Sequence, residues 1–522
     1  MPIQYIGTAG KYGLNKDLSK HELPPEVWSD ALNVRFLDGL AHQAFGYGEY
    51  LSDAAVVPYH LLPIQVGSNK YWLYASDKKI YAVTVSGGVI THTNLTRQSV
   101  GVDVDYSAEY NSWTSDSLSG IPILNSGTFQ DYPQQWGLDV AQNFANLSNW
   151  PANVYCKSLR RFKQFLVALN IKDGSDLFPF MVWWSHPADP GSVPISWDYS
   201  DTTVDAGRFD LGEGYGSIVD GLQLRDVFMV YRENTIHRGD FVGGTSIFRW
   251  SKALGDSGVW NRNCIAEIAG KHAILTNSDI IVHDGNTPES VLDKNLRRWL
   301  FQNIDVANFG TSFVFKNPFF NEVYICFPAI GSTVPNMAVV WNYQDNTTSI
   351  KEMPSVLHAN VGPIDPSWIG TWGSDPDPWG VDETSWDGPD IVPASQRVQM
   401  GSGDGNIYML DGAYSYNGAL PNVLLERRGL SFGTTDQIKF VKAIRPIIRG
   451  QLGSIVKVSV GGHDDIEGEP IWTTKQFIIG TTTACFFLVS GRYIAVKYET
   501  ENAYKFRLDS YTVEYDLVGS WP

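Results

Sequence analysis

The sequence predicts an all-β chain, a series of small sheets followed by a separate β-domain, and three observations carry that prediction. Aromatic residues make up 13% of the chain and charged residues only 18%, so it can bury much apolar area and offers few solvated helical faces. Its 49 glycines and 27 prolines are spread along the whole length, which suits short strands joined by tight turns and opposes long helices. The third observation is a recurring local pattern: an apolar strand, a short polar turn, then a strand opening on isoleucine.

That pattern occurs at Trp72-Leu-Tyr-Ala-Ser-Asp-Lys-Lys-Ile80-Tyr81, Val227-Phe-Met-Val-Tyr-Arg-Glu-Asn-Thr-Ile236-His237, Ala273-Ile-Leu-Thr-Asn-Ser-Asp-Ile280-Ile-Val282 and Gly403-Asp-Gly-Asn-Ile407-Tyr408-Met-Leu410. Looser strand pairs are Phe165–Leu169 with Phe180–Trp184, and Val323–Phe327 with Met337–Trp341. Six such units between about residues 60 and 420 fit a six-bladed β-propeller, because one small sheet cannot bury both faces alone whereas a closed series packs each on its neighbours. Leu73, Val230, Ile274 and Tyr408 are expected at equivalent places in different blades. Residues 101–150 and 360–398 lack alternation, are rich in Asp, Ser, Pro, Gly and Trp, and read as inserted loops.

After Pro421 alternation is sustained, as in Ile438–Arg445, Ser454–Val460, Tyr493–Tyr498 and Ser510–Asp516, which predicts a β-sandwich over residues 422–522. The propeller is assigned to residues 59–421, and residues 1–58 to an N-terminal extension that completes it. Short helices are expected at Pro25–Leu32 and Leu292–Leu300.

A chain of 522 residues with 56 acidic and 39 basic side chains, a net charge of −17, is poorly suited to gripping phosphates, since nucleic-acid affinity rests on Lys and Arg. An acidic wall instead suits a conduit past which DNA slides, and it also keeps a large protein soluble. Cys156, Cys264, Cys326 and Cys485 stand far apart without a Cys-x-x-Cys pair, so they read as buried small hydrophobes and not as a zinc site or disulfide framework. The opening Met-Pro-Ile-Gln-Tyr-Ile-Gly has no signal-peptide pattern, and no apolar run reaches a membrane span, so synthesis and folding in a cytoplasm, without membrane insertion, are expected.

Motifs that suggest chemistry fail on inspection. Gly255-Asp-Ser257-Gly258 copies a serine-protease nucleophile segment, but Val259 replaces the next glycine and no base-bearing segment precedes it. His21-Glu22 begins like a zinc metalloprotease helix, yet Pro24 and Pro25 break it and no second histidine follows at four residues. Gly212-Glu-Gly-Tyr-Gly216 lacks the strand and helix that would aim amides at a phosphate. Asp375, Asp377, Asp382, Glu383, Asp387 and Asp390 lack calcium-loop spacing, and Ser402-Gly-Asp-Gly-Asn406 departs from the sialidase box at its glycine. No catalytic residue, cofactor or metal site is therefore expected. The same acidic stretch holds Trp368, Trp372, Trp379 and Trp386. Tryptophan is favoured at interface hot spots, so these four form a candidate protein interface, against the alternative of a loop folded on its own tryptophans.

Several segments carry a resemblance: Gly13-Leu-Asn-Lys-Asp-Leu18, Leu23-Pro-Pro-Glu-Val-Trp28-Ser-Asp-Ala-Leu-Asn33-Val-Arg-Phe36-Leu-Asp-Gly39, Trp341-Asn-Tyr-Gln-Asp-Asn-Thr-Thr-Ser-Ile350, Glu426-Arg-Arg-Gly-Leu-Ser-Phe-Gly433 and Ile444-Arg-Pro446. Together they resemble tail proteins of short-tailed bacteriophages. The resemblance implies a virion protein similar to the tail nozzle, a six-bladed propeller that assembles as a hexameric ring below the portal and adaptor. Its implied partners are further copies of itself, the adaptor and portal complex, and distal tail proteins or fibres, with DNA passing through at genome ejection without specific binding. The alternative is a receptor-binding or carbohydrate-active propeller, a glycan binder or glycosidase.

Overall fold

The computed structural model describes residues 3–51, 53–66, 69–86, 89–212, 216–244, 246–364, 396–465, 468–500 and 502–520. It is all-β: nearly every regular element is a strand, and α1 (Arg297–Asn303) and one 3-10 turn (Val306–Thr311) are the helical elements among the described residues.

Seven four-stranded antiparallel sheets follow one another along the chain. We number them 1 to 7 by residue span: 60–94, 114–146, 154–210, 218–255, 265–290, 313–352 and 356–410. Each of the first six is a simple meander, while sheet 7 takes its fourth strand, Tyr47–Leu51, from the N-terminal segment, paired to Ile407–Leu410. The hairpin pattern is legible because its turns fix register: Ile80, Ile236, Ile280 and Ile407 each stand at the start of a third strand and are fully buried.

Successive sheets share cores. Leu73, Ile80, Trp113 and Leu124 pack between sheets 1 and 2, Phe162, Trp184, Phe228 and Phe248 between sheets 3 and 4, and Phe313, Tyr324, Val356 and Met400 between sheets 6 and 7. Tyr50, Leu61, Tyr74 and Ile407 then join sheet 7 back to sheet 1. First strands of neighbouring sheets run alike. Thr114 Oγ1 accepts from Leu159 N, and two residues on an Asp116 carboxylate oxygen accepts from Arg161 N. In the same way His60 stacks on His358 at one end, while Gly362 meets Pro63 at the other.

Several expectations are corrected. The four-stranded sheets number seven and not six, because residues 101–150 are not one inserted loop: sheet 2 lies inside them. Its outer strands, Gln134–Gln135 and Ala145–Asn146, are short and polar, so they show no apolar alternation. Of the other expected loop, 360–398, both ends are strand, since Val356–Pro363 and Gln396–Ser402 pair in sheet 7, and residues 365–395 lie outside the described residues. Of the four positions expected to be equivalent, Val230 and Ile274 agree: each directly precedes the residue that pairs with the third-strand isoleucine. By that rule their counterparts are Tyr74 and Met400. Leu73 lies one residue off, on the opposite face, and Tyr408 is on the third strand, opposite Met400. Pro25–Leu32 is not a helix but a turn leading into the strand Asp30–Leu32, and α1 begins at Arg297, later than expected.

The chain from Val423 onward, together with strands of the N-terminal extension, builds a five-stranded and a six-stranded sheet that face each other across a core that includes Val441, Ile444, Val458, Val496 and Val513. Ile471–Ile478 is one edge of the five-stranded sheet and Cys485–Gly491 one edge of the six-stranded sheet. The N-terminal extension divides its allegiance. Tyr47–Leu51 completes sheet 7, whereas Ile3–Ile6, Val34–Leu37 and Leu40–Gln43 join one sheet of the C-terminal pair and Asp30–Leu32 the other.

Candidate functional site

Four of the five segments that carry the resemblance, up to some 400 residues apart in the chain, meet at one place, the joint between the C-terminal sheet pair and the outer strand of sheet 6, Thr347–Glu352; Ile444–Pro446 lies instead within the six-stranded sheet, paired with Tyr511–Val513. Trp341-to-Ile350 is the last hairpin of sheet 6. Its turn is built by Asn342, whose side-chain oxygen accepts from Gln344 N and Asp345 N, and by Asn346 at φ 53°, which receives the Trp341 indole N–H. This presents Thr347 and Thr348 to the N-terminal segment. Thr348 bonds Leu14 in both directions, through its carbonyl and its hydroxyl, and Thr347 donates to Phe36 O. Asn33 completes the seam: its backbone N–H reaches Ile350 O, its amide donates to Glu352 and to Asn422 O, and its side-chain oxygen accepts from Glu352 N.

On the other side, Asp30–Leu32 pairs with Leu424–Glu426, and Ser29 donates to Glu426 O from both its backbone and its hydroxyl. Arg427, 1% exposed, donates to Lys20 O and Leu23 O, so it ties down the chain that precedes Trp28. Burial lowers its pKa to about 10, against a smaller opposing effect of Tyr511. Trp28 is itself buried against Tyr498 and Tyr511. Gly429 must be glycine: its φ is 75°, and a Cβ there would lie 2.9 Å from the Lys20 carbonyl. Phe432 stacks on Tyr515 at 4.6 Å.

At the centre of the joint is a buried charge cluster. Arg35 binds Glu322 with two hydrogen bonds of 2.6 and 2.9 Å and Asp411 with two of 3.0 and 3.1 Å. Lys351 sits 3.5 Å from Asp411 and donates to Phe45 O. Two cations and two carboxylates thus balance where each side chain is at most 6% exposed. Burial alone disfavours the Arg35 charge, but Asp411 and Glu322 overcome it and raise its pKa. Burial likewise opposes the Asp411 carboxylate, and Arg35 and Lys351 reverse that, lowering its pKa. Lys351 is lowered by burial, only partly offset by Asp411. The Arg35 guanidinium also lies 3.7 Å from the Phe320 ring centre, a cation–π contact. Since Arg35 comes from the N-terminal segment, Glu322 from sheet 6 and Asp411 from the end of sheet 7, the cluster bolts three parts together.

Other sequence candidates are scattered. Ser257 lies in the bend after Phe248–Gly255, and Gly258 is explained by packing, because a Cβ would lie 2.2 Å from Arg232 O. His21 sits in a turn with its Nδ1 2.7 Å from the Ser19 hydroxyl. In Gly212–Gly216, residues 213–215 fall outside the described residues, and Gly216 O accepts from Arg232 Nε. In the 402–406 turn, Asp404 accepts from Asn406 N and from the Tyr408 hydroxyl. All four cysteines are buried, which pushes their thiol pKa values up. Trp368, Trp372, Trp379 and Trp386, with the acidic residues around them, lie outside the described residues. Among the described residues no group of three or more His, Cys, Asp or Glu side chains is placed to hold a metal ion, and no helix is long and apolar enough to cross a membrane.

A surface cleft of about 670 Å³, which sequence reasoning missed, is formed where α1 meets the 3-10 turn beside Trp260. Its signal was present only as Leu292–Leu300, read as a helix without a role.

Comparison with known proteins places few constraints. No protein-family model and no curated protein matches the chain. Among solved structures it is similar to PorZ, an essential surface component of the type-IX secretion system of Porphyromonas gingivalis, with 10% identity and a TM-score of 0.38. That match covers 76% of this chain and 44% of the other, so the chain spans less than half the length of that protein. Likeness at this level bears on neither fold nor function.

Proposed function

We propose that this chain is a structural component of a short-tailed phage tail, in which its seven four-stranded sheets are the blades of a β-propeller and the C-terminal sheet pair is a second body bolted to it. The observation that carries the reading is the convergence of four of the five resemblance-bearing segments on a single joint. Residues shared with a family for a catalytic reason would gather around a cavity with titratable groups facing it. Here they gather in packed seams and one charge-balanced cluster, which is what a rigid assembly part needs. The shared inter-sheet cores, closing from sheet 7 back to sheet 1, support the propeller. The blade count of seven departs from the six implied by the resemblance.

In this reading copies of the chain form a closed ring around a passage with a net-negative wall, consistent with the charge of −17. An acidic wall repels duplex DNA towards the axis, whereas a basic one would hold it at each phosphate. Electron microscopy of the purified protein and of virions tests this. Closed rings coaxial with the tail are expected. A peripheral fibre, or a passage lined by Lys and Arg, would overturn it, and glycan binding by isolated monomers would favour the receptor-binding alternative.

A further inference from the structure

The cleft beside α1 combines an exposed apolar wall with exposed basic side chains. Leu18, Trp260 and Val306 at its walls are 41%, 50% and 76% exposed, an apolar surface without cover. Lys294 and Arg298 stand exposed on its rim and form no ion pair among the described residues. The carboxylates nearby are already engaged. Asp17 accepts from the backbone N–H groups of Arg298 and Trp299, and Asp279 and Asp293 flank Arg297 at 3.6 and 3.9 Å. What the cleft offers a visitor is therefore two free cations beside exposed aromatic and aliphatic walls.

We infer that this cleft docks residues 365–395 of a second copy of this chain. Those 31 residues hold seven carboxylates, four tryptophans and no Lys, Arg or His, complementary to the cleft in charge and in apolar character. Tryptophan anchors beside desolvated charge pairs are the composition of interface hot spots. Topology favours a second copy over the chain's own segment. The α1 region enters the starting end of the first strand of sheet 6, whereas 365–395 follows the finishing end of the first strand of sheet 7. Phe313 and His358 stack near the starting ends of those two strands, so the ends align. Pro363 and Gln396, between which the segment runs, thus stand at the opposite end of the strands from the cleft, so we assign the contact to a second copy, a heterologous contact of the kind that joins copies head to tail.

The inference rests on the proposal that copies of this chain assemble. It is tested by sedimentation velocity at low salt with two full-length variants, Lys294→Glu/Arg298→Glu and Trp368→Ser/Trp372→Ser/Trp379→Ser/Trp386→Ser. The wild type is expected to self-associate, more weakly as salt rises. Each variant alone should associate at least tenfold more weakly. An equimolar mixture should recover a heterodimer, because it still contains one intact cleft and one intact segment. A labelled 365–395 peptide should bind the tryptophan variant and not the cleft variant. Either variant associating like wild type, or a mixture that stays monomeric, would overturn the contact while leaving assembly standing. A wild type that stays monomeric would instead overturn assembly itself, and peptide capture by the tryptophan variant alone would then assign the cleft to the chain's own segment.

Discussion

Replacing Arg35 with methionine should loosen the joint more than any other single substitution in it. The side chain is 4% exposed and makes four hydrogen bonds to two carboxylates. Without it, Glu322 keeps the Tyr324 hydroxyl and Asp411 keeps the Asn317 amide, but the two negative charges are left with Lys351 alone. Removing one partner from a buried ion pair typically costs about 3–5 kcal/mol, most of it the penalty of the uncompensated charge. That is a large fraction of ordinary folding stability. Urea unfolding followed by tryptophan fluorescence would read the loss, with limited proteolysis locating it at the joint. The control is the quadruple variant Arg35→Met/Glu322→Gln/Lys351→Met/Asp411→Asn, which removes all four charges. If the cost is that of unpaired charge, the quadruple variant will be more stable than Arg35→Met alone. A loss below about 1 kcal/mol in Arg35→Met, within the range of an exposed pair, or a quadruple variant less stable than the single one, would refute the reasoning. Acid should act on the same cluster. Because the Asp411 pKa is lowered in the folded protein, its contribution is complete above the ordinary carboxylate range and is lost as pH falls through that lowered value.

Gly429→Ala should destabilise by at least about 1–2 kcal/mol, the cost of a left-handed conformation for an L-residue, with more added because its Cβ would lie 2.9 Å from the Lys20 carbonyl; an unchanged urea midpoint would count against the seam. Between sheets 4 and 5, Gly285 N donates to His283 Nδ1, the Tyr231 hydroxyl lies 2.9 Å from His283 Nε2 and 2.5 Å from His272 Nδ1, and His272 Nε2 faces Gln223 O. This relay is satisfied only with both rings neutral, and burial lowers their pKa values to about 3 for His272 and about 4 for His283. Unfolded histidines titrate near 6.5, so the relay's stability is full above that pH and falls on acidification, by about 2 kcal/mol per ring between pH 7 and pH 5. Stability curves that run parallel for wild type and His272→Gln/His283→Gln across that window would disprove the linkage.

The sequence made visible whatever repeats with a short period. The turns before Ile80, Ile236, Ile280 and Ile407 place one buried isoleucine at each third strand, so register and sheet type could be read directly. Sheet 2 escaped because strands of two residues, such as Gln134–Gln135, are held by side chains more than by alternation: Gln134 is 1% exposed and its amide donates to Tyr132 O and Asn146. The joint was legible only as a set of separate resemblances. Nothing in the local pattern around Arg35 announces Glu322, 287 residues away, and a buried arginine in a strand reads from sequence like an exposed one. The cleft beside α1 was equally silent, since its walls come from the N-terminal segment, the bend at Trp260 and the 3-10 turn.

The boundary after Pro421, where the sequence changes texture, is a change of sheet and not a place where the chain can be divided. The strand Phe506–Ser520 pairs with Gln437–Gly450, with Ile3–Ile6 and with Leu40–Gln43, so both ends of the chain are needed to build one sheet. A fragment ending at residue 421 would leave Ile6, Val34 and Phe36, each at most 2% exposed in the whole chain, without the partners that cover them. Because Tyr47–Leu51 follows directly and closes sheet 7, loss of the sandwich would also release the strand that completes the series of seven. Contacts that span nearly the whole length form late in folding, since their loop-closure entropy must be met before they stabilise anything. The joint is therefore expected to form last, and substitutions there are expected to impair assembly before they disturb any single sheet.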